Sequence, residues 1–174
     1  MNNEAVPIQI LPATEEHIAS FRECLDSVAR ERKYIGFVEA PSLEMVRDFV
    51  RSNFIHGNSV QFVAVADHAV IGWCDILIGA LPGFTHAGCL GMGVKQGFRG
   101  AGIGKKLLAA ALNKAREKNA ERIELEVFAS NKIALRLYEK AGFVIEGVKQ
   151  KARKLDGVHD DVVCMALLFN EMKS

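Results

Sequence analysis

The stretch from Ala87 to Val127 leaves the chain few folds to choose from. It begins as a glycine-laced strand, Ala87 to Val94, and passes through a glycine-rich turn, Gly97 to Gly104. Ile103, Leu107, Leu108, Ala111, Leu112 and Ala115 then recur at helical spacing, predicting a helix that ends near Asn119. Ile123, Leu125 and Val127 alternate with Glu124 and Glu126, the pattern of a strand with one buried face. A strand, a helix and a strand in that order make a crossover, so the two strands should run parallel with a right-handed connection. The turn falls at the carboxyl end of the first strand, where the helix N-terminus also points.

The rest of the chain supplies strands and helices around this unit. Ile8, Ile10 and Pro12 read as a short strand. Thr14 is a helix N-cap, with His17 where a capping box has Glu. Ile18, Phe21, Cys24, Leu25 and Val28 predict a helix running to about Arg30. Ser42 caps a second helix, with Leu43, Met45, Val46, Phe49 and Val50 expected on its buried side. The loop Glu31 to Pro41 between them holds Tyr34, Phe37 and Glu39, residue types that can line a substrate site or simply pack. Val60–Ala66 and Val70–Ile78 are strands joined by an Asp67-His68 turn, and Pro82-Gly83 marks the next turn. Asn131 to Ala141 is a short helix ended by Gly142. Phe143–Lys154 and Val158–Phe169 form a hairpin around Asp156-Gly157. Lys149, Lys151 and Arg153 alternate along it and are expected on one solvated face. Trp73 is expected in the core.

Composition bounds the function. A chain of 174 residues with no linker or repeat is expected to form one domain, residues 1–174. Lys and Arg number 22 against 21 Asp and Glu, which argues against a nucleic-acid binder. The most apolar stretch, Ala69 to Phe84, carries Asp75, Gly72, Gly79, Pro82 and Gly83, so it is no membrane span. Met1 to Pro7 lacks the basic and apolar regions of an export signal. Cys24, Cys74, Cys89 and Cys164 form no CxxC pair and no metal-ligand spacing with His, so no metal is expected. They read as reduced, mostly buried thiols of a cytoplasmic protein.

The turn carries the chemistry. Its glycines allow positive φ and close backbone approach to a ligand. Their N–H groups and the first turn of the helix make an anion site, with Arg99, Lys105 and Lys106 adding charge beside it. A phosphate or pyrophosphate is the natural guest. A Walker loop fails, because Lys106 follows Gly104-Lys105 and Arg99 stands where the first glycine belongs. A dinucleotide fingerprint fails on spacing and on its position past mid-chain.

Two motifs in order, R-x-x-G-x-G at Arg99 to Gly104 and N-x-x-A-x-x-L-Y-E-K-x-G-F at Asn131 to Phe143, resemble the GNAT superfamily of acyl-CoA-dependent N-acetyltransferases. The resemblance covers about half the chain, His86 to Phe169, and is nearest to small bacterial amino-acid and amine acetyltransferases. It implies a three-layer α/β/α fold with a mixed, mostly antiparallel sheet of about seven strands and one splayed parallel pair. It implies acetyl-CoA as cosubstrate. The backbone of Arg99, Gly100, Ala101, Gly102, Ile103, Gly104 and Lys105 would cradle the pyrophosphate. Met92, Gly93 and Val94 would pair with the pantetheine arm, Asn131 would hydrogen-bond the cofactor, and Tyr138 would sit beside the sulfur as general acid.

The reaction implied is direct attack of a small-molecule primary amine, an amino acid among the candidates, on the thioester. The strand before the turn holds no acid to serve as base, a departure from many relatives. His86 and Glu126 are candidates, each also readable as a turn-edge histidine and a solvated strand face; water then serves as base. Tyr34 and Glu39 are candidates for the acceptor side. Cys89 reads as a buried structural thiol rather than a nucleophile. Alternatives are acetylation of a protein N-terminus or lysine, and a non-catalytic acyl-CoA sensor. The final hairpin offers a surface for a homodimer.

Overall fold

Thr14, two residues past the end of the first strand, opens the first helical segment. Its N–H donates to His17 Nδ1 at 3.1 Å, and its hydroxyl lies 3.0 Å from the same atom. Histidine thus closes the capping box that Glu or Gln usually closes. The computed structural model describes residues 7–169. The reading of Met1 to Val6 as free of an export signal lies outside the described residues.

The elements are β1 (Gln9–Pro12), α1 (Ile18–Ala29), α2 (Leu43–Val50), β2 (Val60–Ala66), β3 (Ala69–Ile78), β4 (Ala87–Val94), α3 (Ile103–Glu117), β5 (Arg122–Phe128), α4 (Lys132–Lys140), β6 (Val144–Leu155) and β7 (Val158–Leu168). A π-helical turn, Arg51–Ile55, continues α2, a feature the sequence reading lacked. The strands form one seven-stranded sheet in the order β1-β2-β3-β4-β5-β7-β6. β4 and β5 are parallel, as the crossover required, while β1/β2, β5/β7 and β6/β7 are antiparallel. The parallel ladder runs from Ala87↔Arg122 to Cys89↔Glu124 and covers only the first part of β4. Both expected hairpin turns are present: Asp67 and His68 take φ of 48° and 60°, and Asp156 and Gly157 take 50° and 79°.

The chain forms two compact units. One contains the residues to Asp75 together with Met92–Lys114. Its core joins Ile18, Phe21, Leu25 and Val28 of α1 and Val46 and Val50 of α2 to Val63, Val70 and Trp73. Phe21 meets Trp73 edge-on, ring centroids 5.6 Å apart. The expected buried face of α2 is narrower than read. Leu43, Met45 and Phe49 are exposed, because a helix of 8 residues presents only the Val46/Val50 ridge to the core. Phe49 packs instead on Phe54, centroids 5.4 Å apart.

The other unit contains Ile76–Gly91 and the residues from Ala115 onward. Ile123, Leu125 and Val127 are buried, while Glu124 and Glu126 face outward. Gly88 lets β4 lie against Ile76; a Cβ there would come within 2.5 Å of the Ile76 side chain. β6 is the edge strand, and register shifts interrupt it between Ile145 and Gly147 and between Lys149 and Arg153. The second shift corrects the expected common face of Lys149, Lys151 and Arg153. Lys151 takes a φ of 51° and its N–H donates to Asp161 Oδ1 at 2.7 Å, while Arg153 lies 4.4 Å over the Phe128 ring.

Candidate active site

The glycine turn is built as its sequence demands. Lys95 N–H donates to the Ile71 carbonyl at 2.8 Å, tying the end of β4 to β3. Gly97, Gly100 and Gly102 then take φ of 90°, 83° and 76°, left-handed values that favour glycine. No neighbouring atom lies within 4 Å of where a Cβ would stand on any of the three. The requirement is therefore conformational, and the space beside the backbone is open to a ligand. α3 starts immediately after, with Lys105 and Lys106 exposed in its first turn. Helical N–H groups at that end have no intrahelical partner and favour an anion. On β4, Gly93 is fixed by contact: a Cβ would fall 2.3 Å from the Trp73 ring. Met92 and Val94 on either side are half-buried.

Arg99, expected to add charge beside the turn, is engaged with a carboxylate there. Nε donates to the Val94 carbonyl at 2.7 Å, and Nη1 and Nη2 donate to the two Glu31 oxygens at 2.7 and 2.5 Å. The guanidinium carbon lies 4.5 Å over the Tyr34 ring. The hydrogen bonds it donates to the Glu31 carboxylate hold Arg99 protonated even more firmly than an ordinary arginine. Glu31 was not among the sequence candidates. Nothing local marks it, since its partner is 68 residues away.

The loop after α1 is pinned at its far end too. Asp26 Oδ1 accepts from Ala40 N–H at 2.9 Å, and Arg22 Nε donates to the Pro41 carbonyl at 3.1 Å. Tyr34, Phe37 and Glu39 are exposed rather than packed in the core, which corrects the packing reading for the two aromatics. Glu39 reaches the Arg30 guanidinium at 3.7 Å.

In the other unit, Asn131 caps α4: Oδ1 accepts from Ala134 N–H at 3.2 Å. Tyr138 is buried near the C-terminus of the helix, its ring centroid 5.7 Å from that of Phe143. Phe143 N–H donates to the Tyr138 carbonyl and Gly142 N–H to that of Glu139, both at 3.0 Å. With Gly142 at φ 97°, this is a Schellman closure, and the Tyr138–Phe143 contact is its apolar staple. His86 is exposed at the edge of β4, its carbonyl accepting from Glu121 and Arg122 N–H groups at 2.8 and 3.2 Å. Glu126 is exposed and ion-paired with Lys149.

Cys89 is exposed, which corrects its reading as a buried thiol. Gly88 and Leu90 take the inward positions of β4, so alternation turns Cys89 out. Cys24 and Cys74 are buried as expected, and Cys164 is partly so. Burial pushes the Cys24 thiol up to about 12 and Cys74 well above the usual thiol range. Among the described residues no cluster of His, Cys, Asp or Glu could hold a metal ion. No described helix is long and apolar enough to cross a membrane.

The L-amino acid N-acetyltransferase AaaT of Escherichia coli (strain K12) is 31% identical over 107 residues, 61% of this chain and 66% of that protein. The chain spans about half to two thirds of the length of the curated relatives first matched. The crystal structure of a GNAT-family acetyltransferase from Streptococcus pneumoniae superposes with a TM-score of 0.88 at 24% identity, covering 94% of this chain and 100% of that one. The structure of yncA from Salmonella typhimurium, solved with its cofactor acetyl-CoA, gives 0.87 at 17% identity, covering 96% of each. At such identities these two establish the fold. The sequence model of the acetyltransferase (GNAT) family matches residues 19–143. That match covers well over half of the chain, and the chain belongs to the acetyltransferase (GNAT) family.

Proposed function

We propose that the protein is an N-acetyltransferase that moves an acetyl group from acetyl-CoA to the primary amine of a small molecule. The observation that carries this reading is the turn, with three left-handed glycines in open space running straight into the N-terminus of α3. That backbone fits a pyrophosphate, and Lys105 and Lys106 add charge. Residues Arg99 to Lys105 would hold it through their N–H groups. Met92, Gly93 and Val94 offer strand backbone to the pantetheine arm, and Asn131 offers a side-chain amide. When bound, acetyl-CoA supplies an activated thioester.

The chain's own part is orientation and proton management. A backbone N–H at the end of β4 would meet charge building on the acetyl oxygen. Tyr138 Oη is the proton donor to the departing sulfur, and the Schellman closure with Phe143 holds its ring. Glu126 is engaged with Lys149, and β4 carries no acid, so a water relay takes the proton from the amine. That favours an α-amino group, with a pKa of ~7.7–8.0, over a lysine amine at ~10.4. The amino-acid acetyltransferase among the relatives points the same way. The whole chain acts as one acetyltransferase domain.

Acetyl-CoA-dependent thiol release against free amino acids, polyamines, aminoglycosides and short peptides tests this. Amino acids should give turnover, and Tyr138→Phe should lower kcat roughly a hundredfold with little change in KM for acetyl-CoA. Turnover with peptides alone would move the acceptor to a protein N-terminus. Turnover untouched by Tyr138→Phe would remove Tyr138 as the acid.

A further inference from the structure

Arg99 joins two chain segments far apart in sequence. Its Nε bond to Val94 O, 2.7 Å long, closes the turn across its base. Its other nitrogens grip both oxygens of Glu31, just past the end of α1. Its flat face lies on Tyr34. Between Glu31 and Tyr34, Arg32 takes a φ of 58°, and its N–H donates to the Ala29 carbonyl at 2.9 Å. That reversal aims both partners at the same guanidinium. The side chains of Arg99 and Glu31 are only 33% and 17% exposed, so the pair is shielded more than a surface ion pair. A planar fork can serve a carbonyl, a carboxylate and a ring together, whereas an ammonium group cannot.

We propose that Glu31 and Tyr34 are positioning residues for acetyl-CoA, acting through Arg99. They hold the turn 95–104 and the segment 31–38 as one body, so that filling the turn orders the segment. The proposal rests on the reading that this turn takes the pyrophosphate. Because the coupling is a free energy shared by two sites, it works in both directions. Loosening the segment weakens cofactor binding, and cofactor binding protects the segment. The segment carries the exposed aromatics Tyr34 and Phe37, so the coupling would prepare the acceptor side only after the cofactor is in place.

Coenzyme A itself is the probe, since it binds without reacting. Its dissociation constant is measured by calorimetry, and tryptic cleavage after Arg32 and Lys33, both exposed, is followed by mass spectrometry. In the native chain, saturating coenzyme A should slow those cleavages about tenfold. Glu31→Gln and Arg99→Lys should each weaken coenzyme A roughly five- to tenfold and abolish the protection. Glu31→Asp should restore part of both, and melting temperatures should confirm that each variant is folded. Equal or tighter coenzyme A binding in Glu31→Gln would overturn the proposal, as would cleavage in the native chain that ignores bound coenzyme A. A native chain that binds no coenzyme A would overturn the assignment of the turn itself, and is told apart by calorimetry alone.

Discussion

Gln61 shows how a single side chain can run against its surroundings. It is 5% exposed on β2, in a strand whose other residues are apolar, and neither amide atom has a hydrogen-bond partner among the described residues. A buried amide left without a bond costs about 1–3 kcal/mol, and an apolar group of similar shape escapes that cost. Gln61→Met should therefore stabilise the protein by about 1 kcal/mol, seen as a higher urea midpoint with an unchanged slope. A lower midpoint would mean that the amide is satisfied in solution. The glycine turn marks itself by its own residues, whereas Asn131 and Tyr138 were marked only by the motif that resembles the GNAT family. The sequence could not mark Glu31, whose importance comes wholly from a contact with Arg99 made by folding.

Among the elements, α4 was the most legible, and its geometry explains why its motif reads as it does. Asn131 starts the helix, Gly142 ends it, and Phe143 returns to cover Tyr138. The Y-E-K-x-G-F sequence is thus a helix stop that fixes the orientation of one tyrosine. Gly142→Ala forces a Cβ into a left-handed residue, and that Cβ would lie 3.3 Å from Leu167 Cδ1. The expected cost is about 1 kcal/mol of stability, and if Tyr138 is the acid as proposed, kcat should fall more than affinity for coenzyme A. Thermal melts and steady-state rates on the same preparation check both halves. α2 was less legible: periodicity names an apolar face, and the helix is too short to bury all of it. The shifts in β6 were illegible for another reason. Alternation predicts a regular strand, and nothing in Lys149 to Arg153 announces that Lys151 turns left-handed.

For the whole molecule, the parallel pair and the sheet of seven strands followed from the crossover and the resemblance, but the edge order of the last hairpin did not. Charge marks it in retrospect, since β6 holds Lys149, Lys151, Arg153 and Lys154, while β7 holds Val162, Val163, Met165 and Ala166. Charge and burial also set the pH range of stability. Hydrogen bonds from Arg51, Arg30 and Arg122 hold Glu15, Asp26 and Glu146 below the usual carboxyl range. Carboxyls depressed in the folded state stabilise it above their unfolded pKa of ~3.9–4.3, and that contribution disappears as pH falls further. Each pair has at least one side chain more than 40% exposed, so the acid decline should be shallow. The alkaline side is different. Burial lifts Cys24 to about 12, so its contribution is complete below the unfolded thiol value of ~8.5 and is lost as pH rises toward the folded one. Cys74, more deeply buried, acts in the same direction. Urea midpoints should therefore stay level from about pH 5 to 8, sag gently below 4 and fall steeply above 9. Cys24→Ala removes one of the two thiols and should flatten the alkaline fall without touching the acid one. An alkaline slope unchanged in that variant would place the loss on other groups, the lysines and tyrosines that also lose protons there.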